Sequence, residues 1–237
     1  MIIDKSQYKV IAIIPAYNEE SRIAEVVENT KIYVDEVIVV NDCSVDHTSI
    51  ISKNAGAIVV DLPKNRGAGY ATRIGCDLAI KNNANIIVTI DADGQHCAGD
   101  IPDLVNKLIM DKPDIVFGYR IKDKSMPVIK KIGNSFLSFL ALVLFRIKIK
   151  DALTGFHAFT AESYPKIRWE SERYGFILEY IYNVYKNNLK YAEVRVKTIY
   201  FDKKTGMSIK DGIKSIFLLL MWRIKVPKKV IVFFNLQ

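Results

Sequence analysis

The run Ile86-Ile87-Val88-Thr89-Ile90 carries no charge and then breaks into Asp91-Ala92-Asp93-Gly94-Gln95-His96. A short, β-branched, uncharged segment of this kind predicts a strand buried on both faces, as parallel sheets require. In open α/β sheets the ligand crevice lies outside the carboxyl ends of the strands, so Asp91 and Asp93 are placed at its mouth. Two ionised carboxylates one residue apart repel each other unless a cation lies between them. Their oxygen donors suit Mg²⁺ or Mn²⁺, which would keep positions open for phosphate oxygens. The plainer alternative is an Asp-rich turn with Gly94 as its left-handed residue.

The chain around this stretch repeats one unit. Val10–Ile14 is a buried-strand run closed by Pro15-Ala16-Tyr17-Asn18-Glu19-Glu20, with Ser21 as N-cap of a helix to about Asn29. Glu36–Val40 leads through Asn41–Thr48 into a helix ending near Asn54, and Ala57–Val60 leads through Pro63–Gly69 into a helix carrying Tyr70, Ile74, Leu78 and Ala79. After the central strand come a helix over Asp100–Met110, with Pro102 in its first turn, and a fifth strand at Ile115–Gly118. Such alternation predicts an α/β fold: a doubly wound, mostly parallel sheet with helices on both faces. Gly67-Ala68-Gly69 lacks the third glycine of a dinucleotide fingerprint, because Thr72 stands there, and the first strand-to-helix turn has no glycine.

At 237 residues the chain accommodates one sizeable core, and one domain is expected over 1–237. Cys43, Cys76 and Cys97 form neither a C-x-x-C pair nor a Cys/His cluster, and Met1–Val10 does not read as a signal peptide; a cytoplasmic setting is expected. The formal net charge of +8 favours anionic partners, and the excess concentrates at Arg120, Lys122, Lys124, Lys130, Lys131, Arg146, Lys148 and Lys150. These cations adjoin apolar segments rather than interleaved stacking aromatics, which disfavours nucleic acid.

Pro15–Glu19, Val39–Thr48, Asn65–Gly69 and Asp91–His96, taken in this order and spacing, resemble the successive signatures of the family 2 glycosyltransferases. The similarity is to the dolichol-phosphate mannose synthase branch, which transfers sugars to polyprenyl phosphates. It continues in Asp151-Ala152-Leu153-Thr154-Gly155-Phe156, in the helix from Tyr174 to Glu179, and in Lys203–Ser208, where lysine replaces the family's arginine and Ile209 its final lysine. The resemblance implies a GT-A type nucleotide-diphospho-sugar transferase fold, with a nucleotide-sugar-binding half (1–120) and an acceptor half (121–237). It implies Pro15, Tyr17, Glu19, Asp42, Arg66, Asp91 and Lys203 as donor-binding residues. Asp91, Asp93 and Gln95 would hold Mg²⁺ or Mn²⁺, and Asp93, Arg120 and Glu179 would be catalytic.

Inverting relatives that act on sugar hydroxyls place an Asp after the glutamate as base, whereas here Tyr180 follows Glu179. A phosphate monoester is largely ionised at neutral pH and needs no such base, which favours a polyprenyl-phosphate acceptor over a saccharide hydroxyl. Arg120, Lys130 and Lys131 are the cations expected to hold that phosphate.

Ile132–Ile147 is apolar on almost every face and somewhat short for a ~30 Å hydrocarbon core. With basic flanks it reads as an interfacial helix peripheral to a membrane, the alternatives being a core helix or a seam of a homo-oligomer. Ile216–Trp222 repeats the pattern, followed by Arg223, Lys225, Lys228 and Lys229. Val194–Tyr200 is expected to be a strand with Val194, Val196 and Thr198 on the buried face.

Overall fold

The computed structural model describes residues 7–121, 128–173, 175–199 and 209–225. Its strands are β1 (Val10–Ala16), β2 (Glu36–Asn41), β3 (Ile58–Asp61), β4 (Ile86–Thr89), β5 (Ile115–Arg120), β6 (His157–Thr160) and β7 (Tyr191–Val196). They form one sheet in the order β3-β2-β1-β4-β6-β5-β7. β1, β2, β3 and β4 run parallel, as do β5 and β7, while β6 is antiparallel to both of its neighbours. The progression β1-β2-β3 moves outward on one side, and β4 returns to the other side of β1. The carboxyl ends of β1 and β4 therefore flank the point where connections leave in opposite directions and open a crevice.

Strand alternation divides the core. Ile11, Ile13, Ile38, Val40, Ile87 and Phe117 belong to one apolar layer, and Ala12, Ile14, Val37, Val39, Val88 and Val116 to the other. The first layer packs under α3 (Ala68–Lys81), α5 (Val128–Phe145), α7 (Gly175–Lys186) and α8 (Ile209–Lys225). The second packs under α1 (Ile23–Lys31) and α4 (Ile101–Asp111). α2 (Thr48–Asn54) lies beside α1 and β3, and α6 (Tyr164–Ile167) beside α7. Helix α3 sits so close to β1 that a Cβ on Gly75 would come within 2.4 Å of Ile13 Cγ2.

Ser21 does not cap α1: the N-cap is Arg22 and makes no side-chain cap bond. The Glu19 carbonyl instead accepts the amides of Arg22 and Ile23, at 3.0 and 2.9 Å, so a backbone turn does the work expected of the serine. α4 begins at Ile101, after a 3₁₀ turn over Ala98–Asp100. The last strand begins three residues earlier than expected and ends at Val196. β6 has no counterpart among the strands that the sequence predicts. Its four residues are central and antiparallel, inserted between β4 and β5, and so short a run gives little periodicity to read. Within it His157 is fully buried, with neither ring nitrogen hydrogen-bonded among the described residues, and burial drives its pKa down to about 3.

Helix α5 turns Leu137, Ala141 and Phe145 into the core and leaves Ile132, Phe136, Phe139, Leu142 and Val143 exposed. α8 packs beside it with Leu219 inward, while Phe217, Leu220 and Ile224 face out. Among the described residues no helix is long and apolar enough to cross a membrane.

Candidate active site

Loops from β1, β2 and β4 meet at the crevice. The first two are knitted together by short polar side chains. Asn18 takes a left-handed conformation (φ 56°) that a small polar residue tolerates. Its amide donates to Ser44 Oγ at 2.9 Å, and its side-chain oxygen accepts the Val45 amide at 3.0 Å. The Glu19 amide donates to Thr48 Oγ1 at 2.8 Å. Pro15, opposite Val40 in the ladder, and the exposed Tyr17 form the rim between these loops.

Asp42 is buried at the end of β2, and its two oxygens accept the amides of Arg66 and Gly67, at 2.8 and 2.7 Å. It thereby fixes the turn that starts α3. Gly67 adopts φ 97°, and a side chain there would strike the backbone of Glu172. The Arg66 guanidinium lies over the Tyr70 ring, 3.8 Å from its centroid, and pairs with Glu172.

Asp91 and Asp93 follow β4 as expected. His96 Nε2 lies 3.1 Å from Asp91 Oδ2, and the Asp91 side chain remains 42% exposed. Surrounding protein opposes the charge on Asp91, yet the His96 hydrogen bond, with the Arg120 charge behind it, holds its pKa below the ordinary value. Asp93 moves the other way: desolvation, then the Asp91 charge, raises its pKa. Its Oδ1 accepts the Gln95 amide at 3.0 Å, and its carbonyl accepts Arg22 Nη1 at 2.9 Å. Glu19 is pushed up to about 7, mainly by burial and then by Asp93. Asp93 and Glu19 thus share a corner where burial and neighbouring carboxylates oppose their charge, which a divalent cation would relieve. Asp91 and Asp93, as hard oxygen donors, fit Mg²⁺ or Mn²⁺. Gln95 is half-buried in the same turn, and its carbonyl accepts the Ile199 amide at 2.9 Å.

Asp151–Phe156 closes the site from below. A Cβ on Gly155 would fall 2.4 Å from Asp91 Oδ1, while the Gly155 carbonyl is held by Thr89 Oγ1 at 2.8 Å. Because this backbone is tied to β4, a Gly155→Ala variant must turn the Asp91 carboxylate aside. Turnover should fall by more than about tenfold, with at most ~1–3 kcal/mol lost in stability. Parallel measurement of kcat and thermal unfolding tests this; unchanged turnover would show that the Asp91 orientation does not matter.

The structure puts Arg120 and Glu179 to uses that their sequence positions did not disclose. Arg120 donates from Nε and Nη2 to the two oxygens of Asp151, at 2.6 and 3.0 Å, and Asp151 is fully buried. Asn134 of α5 donates to the same carboxylate at 2.7 Å. Glu179, also buried, accepts the amides of Glu170 and Ser171 at 3.1 and 2.9 Å. It anchors the segment that crosses the start of α3, where Trp169 Nε1 donates to the Gly69 carbonyl at 2.8 Å. Lys131 is half-buried on α5, and Lys130 lies in that helix's first turn. Lys203, Tyr174, Lys228 and Lys229 lie outside the described residues. Arg22 and Asp151 make site contacts that spacing along the chain does not signal, since their partners lie 71 and 31 positions away.

A mostly parallel sheet with an aspartate pair at its reversal point defines a nucleotide-diphospho-sugar transferase fold of the GT-A type. Glucosyl-3-phosphoglycerate synthase from Mycobacterium tuberculosis shares this fold, with a TM-score of 0.75 and 21% identity over 94% of this chain and 83% of that one. Residues 11–168 match the model of glycosyl transferase family 2. An uncharacterised protein of Methanocaldococcus jannaschii is 36% identical over 225 residues, 91% of this chain and 93% of the relative. The UDP-N-acetylglucosamine–dolichyl-phosphate N-acetylglucosaminyltransferase of Methanococcus voltae is 34% identical over 235 residues, 88% of this chain and 94% of the relative. The chain belongs to the family 2 glycosyltransferases.

Proposed function

We propose that this glycosyltransferase moves a sugar from a nucleoside diphosphate to a polyprenyl phosphate at a membrane surface, with Mg²⁺ or Mn²⁺ held by Asp91 and Asp93. The observation that carries the acceptor reading is the condition of Glu179. Its carboxylate is committed to two backbone amides, and the next residue, Tyr180, is fully buried in the core. A sugar hydroxyl would need a free base there, whereas a phosphate oxygen already carries the charge needed to attack. The M. voltae relative is named for a dolichyl-phosphate acceptor, which agrees with this reading.

When bound, the divalent cation supplies charge stabilisation to the departing diphosphate. The protein's own residues do the rest. Pro15 and Tyr17 form a rim for the nucleoside, Asp42 fixes the turn that presents Arg66, and the Arg66 guanidinium lies ready for the diphosphate or sugar. The Arg120 charge, fixed by Asp151, is already felt at Asp91 and would offset repulsion between the donor and acceptor phosphates. Lys130, Lys131 and Lys203 are assigned to the acceptor and diphosphate side.

The purified protein, offered a nucleotide sugar with either a polyprenyl phosphate or a free saccharide, should glycosylate the lipid phosphate. Transfer to the saccharide alone would overturn the acceptor assignment.

Membrane contact is assigned to the outer faces of α5 and α8, where Phe136, Phe139, Val143, Phe217 and Leu220 are exposed; the exposed cations Arg146, Lys148 and Lys150 follow α5 directly in the chain. Three free cysteines agree with a reducing, cytoplasmic side. The protein should sediment with anionic vesicles at low salt and be largely released at high salt, because surface attraction is screened. Failure to bind at low salt would assign the apolar faces to contacts between subunits instead.

A further inference from the structure

We propose that His96 is a positioning residue that locks the metal-binding carboxylate of Asp91, and that Thr198 completes its setting; this rests on the reading that Asp91 and Asp93 hold the cation. His96 is buried, its ring packs against Phe156 at a centroid distance of 5.1 Å, and Nε2 reaches Asp91 Oδ2 at 3.1 Å. An ionised carboxylate only accepts, so the proton of this bond lies on Nε2. The other ring nitrogen, Nδ1, is buried with no partner among the described residues, and the same is true of Thr198 Oγ1.

These two orphaned atoms belong to residues that face each other. His96 and Thr198 pair across an isolated antiparallel bridge. Directly opposed residues in such a pair carry their side chains on the same face, with Cβ atoms roughly 4.5–5.5 Å apart. A hydroxyl both donates and accepts, so one hydrogen bond from Thr198 to Nδ1, direct or through a single water, satisfies both groups. The strap carrying Thr198 is pinned on either side, by the Ile199 amide to the Gln95 carbonyl at 2.9 Å and by the Lys197 amide to Asp100 Oδ2 at 2.6 Å. The chain Thr198–His96–Asp91 therefore links the end of β7 to the aspartate motif. With Oδ2 held by His96 and glycine at position 155 beneath it, the Asp91 carboxylate keeps one orientation before any ligand arrives.

Partners that orient a metal-binding group typically change metal affinity by about 10–100-fold when removed. The test is Mn²⁺ binding followed by electron paramagnetic resonance in the presence of UDP or GDP, with thermal unfolding as a check on the fold. His96→Phe, which keeps the ring packing but loses the donor, should weaken Mn²⁺ binding by roughly 10–100-fold. His96→Gln, whose terminal amide reaches the position of Nε2, should recover most of that loss. Thr198→Val should produce a smaller loss in the wild-type background and none in the His96→Phe background. Wild-type affinity in His96→Phe overturns the positioning role, as does a His96→Gln variant no better than His96→Phe. If His96→Phe does not fold, His96→Asn, whose amide is too short to reach the position of Nε2, takes its place: a loss of Mn²⁺ affinity that His96→Gln does not show supports the proposal, and wild-type affinity in His96→Asn overturns it. A wild-type protein that binds no Mn²⁺ with either nucleotide overturns the metal reading itself, which separates the two failures.

Discussion

Asp93→Asn should lower turnover by about 10²–10³-fold or more while leaving the protein as stable as before, or slightly more so. The two halves of this expectation come from the same geometry. Asp93 Oδ1 accepts the Gln95 amide, a bond that the asparagine oxygen can also make, so the turn survives the substitution. Desolvation and the neighbouring Asp91 charge already oppose ionisation of Asp93, so removing its charge relieves repulsion in the free protein. That same repulsion is what a divalent cation would neutralise, and a neutral amide is a much weaker ligand for a hard cation. Steady-state turnover in Mg²⁺ or Mn²⁺, set beside thermal unfolding in chelator, measures both effects. Full activity of the variant, or wild-type activity in excess chelator, would remove the metal from the mechanism.

The largest effect on stability is expected at Arg120. Arg120→Met should cost about 3–5 kcal/mol, because Asp151 would be left charged, buried and deprived of its bidentate partner. Burial opposes the charge on Asp151, and the Arg120 guanidinium is the first influence that holds its pKa below the ordinary value. Adding Asp151→Asn removes the stranded charge while its side-chain oxygen can still accept from Asn134 and the Leu153 amide. The double variant should therefore be more stable than Arg120→Met alone, a non-additive result that denaturant unfolding of the four proteins would reveal. A double variant that is less stable than the single would show that the arginine stabilises through packing rather than charge. Arg120→Lys keeps the charge but not the fork, so a raised KM for the acceptor in that variant, with near-normal kcat, would report the phosphate-binding role separately from the structural one.

The features legible along the chain are local or periodic. The apolar runs at Val10, Glu36, Ile86 and Ile115 end where the strands end to within two residues, because a buried parallel strand must be continuously apolar and stops where polar loop residues begin. The aspartate pair was legible for the same reason: charges that abruptly end a buried run must lie at a strand terminus. The apolar stretch Ile132–Ile147 was legible as a helix, and the core reading holds for the side that carries Leu137, Ala141 and Phe145, while the other side is exposed.

The tasks of the individual polar side chains emerge when distant segments meet. Asp151 meets Arg120, Glu179 meets the amides of residues 170 and 171, Asp42 meets the α3 turn, and Thr198 faces His96. None of these pairings follows from spacing along the chain. The central position of β6 was hidden as well: four residues have too little period to identify, and the strand exists because β4 and β5 each offer it a ladder. A backbone hydrogen bond or a buried ion pair is specified by where the chain returns in space, and here that return is set by the crossover from β3 to β4 and by the antiparallel insertion of β6.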